Sequence, residues 1–133
     1  MVWSCLVSIL PGMAQTEKLT DYVNPFVGTD GYGNVYPGAQ IPFGGIQISP
    51  DTDSRFYDAA SGYKYNHLTL MGFSLTHLSG TGIPDLGDFL FIPGTGEMKL
   101  EPGTHEDPDQ GYRSRYSHDK EWASPNYLSL IHI

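Results

Sequence analysis

The chain has 133 residues, of which 13% are aromatic and 17% charged, with 16 Gly and 10 Pro. That is enough for one modest domain, and too turn-rich and sparsely charged for a disordered segment or a coiled coil. The net charge of −8 repels nucleic acid and anionic membrane surfaces, so neither is expected as a partner, and the single cysteine, Cys5, excludes an internal disulfide or a zinc site built on several cysteines.

The chain opens on an apolar stretch. Val2 to Leu10 reads VWSCLVSIL, uncharged and of the length of an export-signal core, but well short of a membrane-spanning helix. Gly12 and Ala14 are the small residues a signal peptidase accepts before Gln15. Residues 1–14 are therefore expected to be a signal peptide, although no basic residue precedes the apolar run. The competing reading is a buried strand or helix of a fold that begins at Met1. Cys5, inside the run, is an apolar filler with no lipid-attachment context.

Beyond it, helical spacing never persists, because Pro or Gly interrupts almost every window. Strand patterns recur instead. Gly45 to Ser49 alternates apolar and polar and ends at Pro50. Leu68 to Phe73 is a short apolar run. Asp88 to Ile92 is dense and apolar, and is stopped by Pro93-Gly94. Tyr112 to Tyr116 alternates, with both tyrosines on one face. Tyr127 to Ile131 forms a last strand. Short strands between Gly/Pro punctuation predict an all-β fold, an antiparallel β-sandwich. The acidic stretch Glu101 to Gln110 reads as a solvated loop. The final residues, LSLIHI, resemble a translated sequencing adapter, so the domain, spanning 21–133, is expected to be incomplete at its C-terminus.

Three segments concentrate glycine and polar groups: Asn24 to Asn34, leading to Ala39; Tyr57 to Tyr63; and Phe73 to Gly82, leading to Asp88. Common loop motifs fail in them. Asp30-Gly31-Tyr32-Gly33-Asn34 starts like a calcium loop but lacks the acidic ladder and closing Glu of an EF-hand. No dinucleotide fingerprint, phosphate loop or nucleophile elbow is present. His77 has Ser79, Asp85 and Asp88 nearby in sequence, which leaves four readings open: a Ser/His/Asp hydrolase, a His/Asp metal site, a loop histidine held by hydrogen bonds beside turn-capping aspartates, and a sugar contact. Only geometry makes a triad. Sugars need planar hydrogen-bonding groups and an apolar face for stacking, and Tyr57, Asp58, Tyr63 and His77 supply those types. Aromatics are also ordinary core residues of sandwiches.

The runs DYVNPFVGTDGYGNVYPGAQIPFGGIQISPDT, YDAASGYKY and GFSLTHLSGTGIPDLGDFLFIP, with the later YRSRYSHDKEWASPNY, resemble the N-terminal domain of glycoside hydrolase family 92. The resemblance covers Asp21 to Tyr127. It implies an exported, periplasmic or extracellular bacterial exo-α-mannosidase that acts on α-mannoside glycans with inversion. Such an enzyme depends on calcium and is built from a β-sandwich and an (α/α)6 barrel. The barrel supplies the acid, the base and most calcium ligands, and nothing in this chain corresponds to it. The resemblance implies no catalytic residue and no metal ligand here. It implies pocket contacts at Tyr57, Asp58, His77, Ser79 and Asp85, and pocket-wall loops at Gly28–Gly38 and His77–Gly87 on one side of the domain. Three departures stand out. Leu75 replaces a histidine, Tyr57 and Ala60 replace Trp and Cys, and Asn126 stands where Gly is usual. The alternatives from other classes are a stand-alone carbohydrate-binding sandwich and a protein-interaction sandwich.

Overall fold

The computed structural model describes residues 17–40, 44–53 and 57–132. The expected signal segment 1–14 lies outside them. Every strand pairing is antiparallel, and the strands form two three-stranded sheets. The first has the order β1-β3-β4, with β1 at Ser49–Asp51, β3 at Gly72–Ser74 and β4 at Leu90–Phe91. The second has the order β2-β5-β6, with β2 at Thr69–Leu70, β5 at Ser114–Ser124 and β6 at Tyr127–His132. The described residues contain no α-helix, only short 3-10 turns at Leu19–Tyr22, Tyr57–Ala59 and Pro108–Gln110. The all-β expectation holds.

The strand boundaries differ from expectation in instructive ways. The apolar run Leu68 to Phe73 is two strands, not one. It breaks after Leu70, and the chain crosses from the second sheet to the first. Gly72, at φ 156°, makes the crossing possible: a Cβ there would lie 2.8 Å from the Phe91 carbonyl oxygen. The first strand starts later than the alternation implies and runs through Pro50, which faces Phe73. Pro is tolerated there because β1 is an edge strand. Tyr112 precedes β5, so only Tyr116 of the tyrosine pair lies on that strand, where it is buried.

The two sheets are tied by polar groups as much as by apolar ones. Leu70, Met71, Tyr63 and Tyr116 are buried, but so are Thr52, Asp53, Thr69 and Arg113. Arg113, just ahead of β5, donates from Nη1 to the Thr52 carbonyl beyond β1. His105 bridges Thr69 Oγ1 at 2.7 Å and Asp53 Oδ2 at 3.3 Å. The Glu121 carboxylate, buried on β5, receives Tyr63 Oη at 2.9 Å and His118 Nδ1 at 2.6 Å. Burial, then the neighbouring Tyr116 and Glu121, pushes the Tyr63 phenol well above its ordinary range, so it stays a neutral donor. A buried carboxylate persists only with partners of this kind.

Strands β5 and β6 join through Pro125-Asn126, with Ser124 facing Tyr127. Asn126 has φ 64°, a left-handed conformation that suits Gly and, among the other residues, Asn best. This conformation accounts for Asn at the turn. Replacing Asn126 with Gly should leave stability unchanged, whereas Asn126→Val should cost about 1–2 kcal/mol, both measured by denaturant unfolding of the protein.

Candidate functional site

The three glycine-rich segments, far apart in sequence, meet in space. The first is a chain of tight turns. Asn24 Oδ1 accepts the Phe26 amide and Asp30 Oδ1 the Gly31 amide, and the Val35 amide returns to the Gly28 carbonyl. Gly33 is packed so closely against this turn that a Cβ would lie 2.2 Å from the Gly28 oxygen. The third segment docks on the first through the Gly80 amide, which donates to the Asn34 carbonyl at 2.7 Å. The rings of Tyr36 and His77 lie 5.0 Å apart. The second segment joins both: Tyr57 sits 6.2 Å, ring to ring, from Tyr32, and its ring edge closes over Gly82. Glycine at position 82 is what admits the tyrosine, because a Cβ there would meet the ring at 2.6 Å.

His77 lies at the centre of this meeting and is buried. Its Nδ1 is 2.7 Å from the Gln47 carbonyl oxygen, which accepts hydrogen bonds but cannot donate, so Nδ1 carries a proton. Its Nε2 faces both Asp51 Oδ1 and Ser74 Oγ, each at 2.9 Å. These partners decide between the open readings. In a catalytic triad the carboxylate and the nucleophile sit on opposite ring nitrogens, so that one orients the imidazole while the other loses its proton to it. Here Asp51 and Ser74 share one nitrogen, and a backbone carbonyl takes the other. Ser74 is itself buried. The arrangement is a structural clamp that joins the segment around Gln47, strand β1 and the end of β3, and it has no proton relay.

The aspartates grouped with His77 by sequence have other partners. Asp85 is exposed, and its Oδ1 accepts the Leu86 amide at 2.8 Å. Asp88 Oδ2 accepts the Thr76 hydroxyl at 3.0 Å. Both act as turn caps of the kind short polar side chains make. Leu86 is held at φ 68°, an uncommon conformation for a branched side chain that marks this turn as locally strained. Ser79 is exposed on the same loop. Tyr57 is 61% exposed and Tyr32 80%, so two aromatic faces stand open to solvent beside the loops. The Asp58 side chain lies outside the described residues.

The clamp forms one wall of a cavity of about 270 Å³, lined among others by Asp51, Gly62, Ser74, Thr76, His77 and Asp85. Of the residues expected at a pocket, His77 and Asp85 are thus brought together, while Tyr57 and Ser79 lie on the adjoining loops. Sequence reasoning missed Asp51, Gln47 and Ser74. Asp51 is 26 residues from His77, and no local pattern links them. Among the described residues, no group of three or more His, Cys, Asp or Glu side chains could hold a metal ion.

Gly62 makes the clamp possible. At φ 88°, a Cβ there would lie 2.0 Å from Asp51 Oδ1. Gly62→Ala should therefore destabilise the protein by more than about 1 kcal/mol. Gly94→Ala, where the added methyl meets nothing within 4 Å, should be nearly neutral in the same denaturant titration.

Comparison with known proteins places this geometry. The profile described as "Glycosyl hydrolase family 92 N-terminal domain" matches residues 22–131. A GH92 alpha-mannosidase from Bacteroides thetaiotaomicron is 97% identical over 86% of this chain, with a TM-score of 0.82. The same mannosidase has also been solved in complex with mannoimidazole, and that structure matches with a TM-score of 0.83. A further GH92 family glycosyl hydrolase is 34% identical over 85% of the chain, with a TM-score of 0.68. An uncharacterized secreted glycosidase of Arthroderma benhamiae is 36% identical over 73 residues, or 54% of this chain and 9% of that protein. The chain spans only 15% of the length of the Bacteroides mannosidase. With its N-terminal-domain profile matched from residue 22 to 131, the chain belongs to glycosyl hydrolase family 92.

Proposed function

We propose that this chain is the N-terminal part of a longer exported exo-α-mannosidase, and that it shapes one wall of the mannose pocket while the rest of that protein performs the hydrolysis. The observation that carries this reading is the 97% identity to a GH92 alpha-mannosidase over 86% of the chain. Inverting hydrolysis needs a protonated carboxyl at the leaving oxygen and a carboxylate roughly 6.5–9.5 Å away to activate water on the opposite face. Asp85 and Asp88, the acidic side chains by the cavity loops, are already committed to the turns that shape them. The acid, the base and the calcium ligands are assigned to the remainder of the polypeptide, the (α/α)6 barrel of the family resemblance. When bound there, calcium would fix sugar hydroxyls through hard oxygen contacts.

The contribution of this chain is recognition. Tyr57 offers an open aromatic face for the apolar side of a sugar ring, with Asp58 beside it in the Tyr57–Ala59 turn. Ser79 and Asp85 present exposed hydroxyl and carboxylate groups for sugar hydroxyls. His77 lines the cavity and holds the third segment in place through its two nitrogens. Export is supported by the apolar Val2–Leu10 run and by the secreted label of the fungal relative.

In the full-length protein, Tyr57→Ala and Asp85→Ala should each lower kcat/KM for an α-mannoside by about 10- to 100-fold, or ~1.4–2.7 kcal/mol, read from steady-state mannose release. Residues 17–132 expressed alone with calcium should release no mannose from an activated α-mannoside. Turnover by that piece, lost in Asp85→Ala, would place a catalytic centre within it and contradict this reading.

A further inference from the structure

Among the described residues, the first sheet ends in an edge that pairs with no further strand. Strand β4 pairs on one side with β3, and its other side is the margin of the sheet. Phe89 and Phe91 are 65% and 58% exposed. The chain then runs through Gly94 to Leu100, and Met98 and Leu100 are 83% and 80% exposed. Among the described residues, no backbone amide from Gly94 to Leu100 donates a backbone hydrogen bond. Between these two stretches lies a groove of about 560 Å³, lined by Leu90, Ile92, Met98, Leu100 and Tyr112. It is larger than the cavity at His77 and is separate from the three glycine-rich segments.

Each feature has one physical implication. Large apolar side chains at alternate positions, 89 and 91, then 98 and 100, are the period of an extended segment with one face meant for burial. An unpaired edge offers amides and carbonyls to another strand. A domain of this size that leaves so many large apolar side chains in water forgoes the burial that stabilises it. Chain length says what covers the face. This chain makes up only 15% of the Bacteroides mannosidase it matches so closely, and the family match is to an N-terminal domain. Most of the polypeptide that could fold back on this edge is thus outside the chain.

We infer that the β4 edge and the Met98–Leu100 groove seat an extended segment of the same polypeptide from beyond this chain. That segment is apolar at alternate positions and adds a strand to the β1-β3-β4 sheet. Its backbone would pair with the β4 margin, and its apolar face would close over Leu90, Met98 and Leu100. Glu97 and Lys99, both exposed, would stay at the wet rim. The inference depends on the chain being part of a longer protein. It does not depend on that protein's activity.

The test is hydrogen exchange by mass spectrometry on the purified full-length protein at two concentrations differing about 50-fold, within the range that reports local opening. The expected result is exchange on the order of 100-fold slower than unstructured rates across Phe91 and Met98–Leu100, identical at both concentrations. Exchange near the unstructured rate overturns the inference. Protection that appears only at the higher concentration assigns the face to a second copy and overturns it equally. As a second readout, Leu100→Asp in the full-length protein should lower the thermal midpoint, while Lys120→Asp at an exposed position on β5 should not. If Leu100→Asp fails to fold, the exchange data on the unsubstituted protein decide alone. Mannosidase activity enters neither readout, so an inactive full-length protein would sink the functional reading and leave this one standing.

Discussion

The architecture of the site turns on a single buried imidazole. His77 contributes no reach into solvent, and its two nitrogens are taken by Gln47, Asp51 and Ser74. Those partners belong to the segment before β1, to β1 itself and to the end of β3. The clamp therefore sets where the third glycine-rich segment leaves the sheet, and through the Gly80–Asn34 hydrogen bond it also sets where the first segment lies. Removing the imidazole would take a hydrogen-bond partner from the buried Asp51 and Ser74 side chains at once, and a buried polar group left unsatisfied costs more than the hydrogen bond itself contributes. Such rigidity suits the sugar-pocket role proposed for these loops, because ordering them at the moment of binding would oppose affinity.

The rest of the fold repeats this reliance on polar ties. Arg113 with Thr52, His105 with Asp53 and Thr69, and Tyr63 with Glu121 each join elements that are distant in sequence. Such networks specify one arrangement when every member is paired, and are costly when one is not. By contrast, the apolar side chains at Phe89, Phe91, Met98 and Leu100 face outward. A domain stapled by polar contacts on one side and open and apolar on another is what a segment of a larger assembly looks like, with part of its core supplied from elsewhere.

Much of the fold could be read from sequence patterns, and the reasons are local. Alternation and Gly/Pro punctuation identify five strand regions, and Pro93-Gly94 stops the run that contains β4. The switch between sheets near Met71 was not legible, because it depends on the close approach of Phe91 to Gly72, and side-chain pattern carries no record of that contact. The site was half legible. Glycine and polar content singled out the three segments that meet in space, though not that Gly33 and Gly82 are points of close approach, and family resemblance named Tyr57, Asp58, His77, Ser79 and Asp85 as pocket contacts. The partners of His77 were not foreseen, since Asp51 pairs with it across 26 residues, and neighbours in sequence such as Ser79 and Asp88 were the more conspicuous candidates. Glu121 was missed for the same reason: it meets Tyr63 across 58 residues.

The central claim is that the His77–Asp51–Ser74 group positions the pocket loops and takes no part in bond cleavage. The most direct test is Ser74→Ala in the full-length protein, assayed by steady-state hydrolysis of an α-mannoside. A positioning role predicts kcat within about tenfold of the unsubstituted protein, with the larger change in KM or in thermal stability. A fall in kcat of about 10⁴-fold or more, with stability and KM unchanged, is the signature of a lost nucleophile, and would contradict the account.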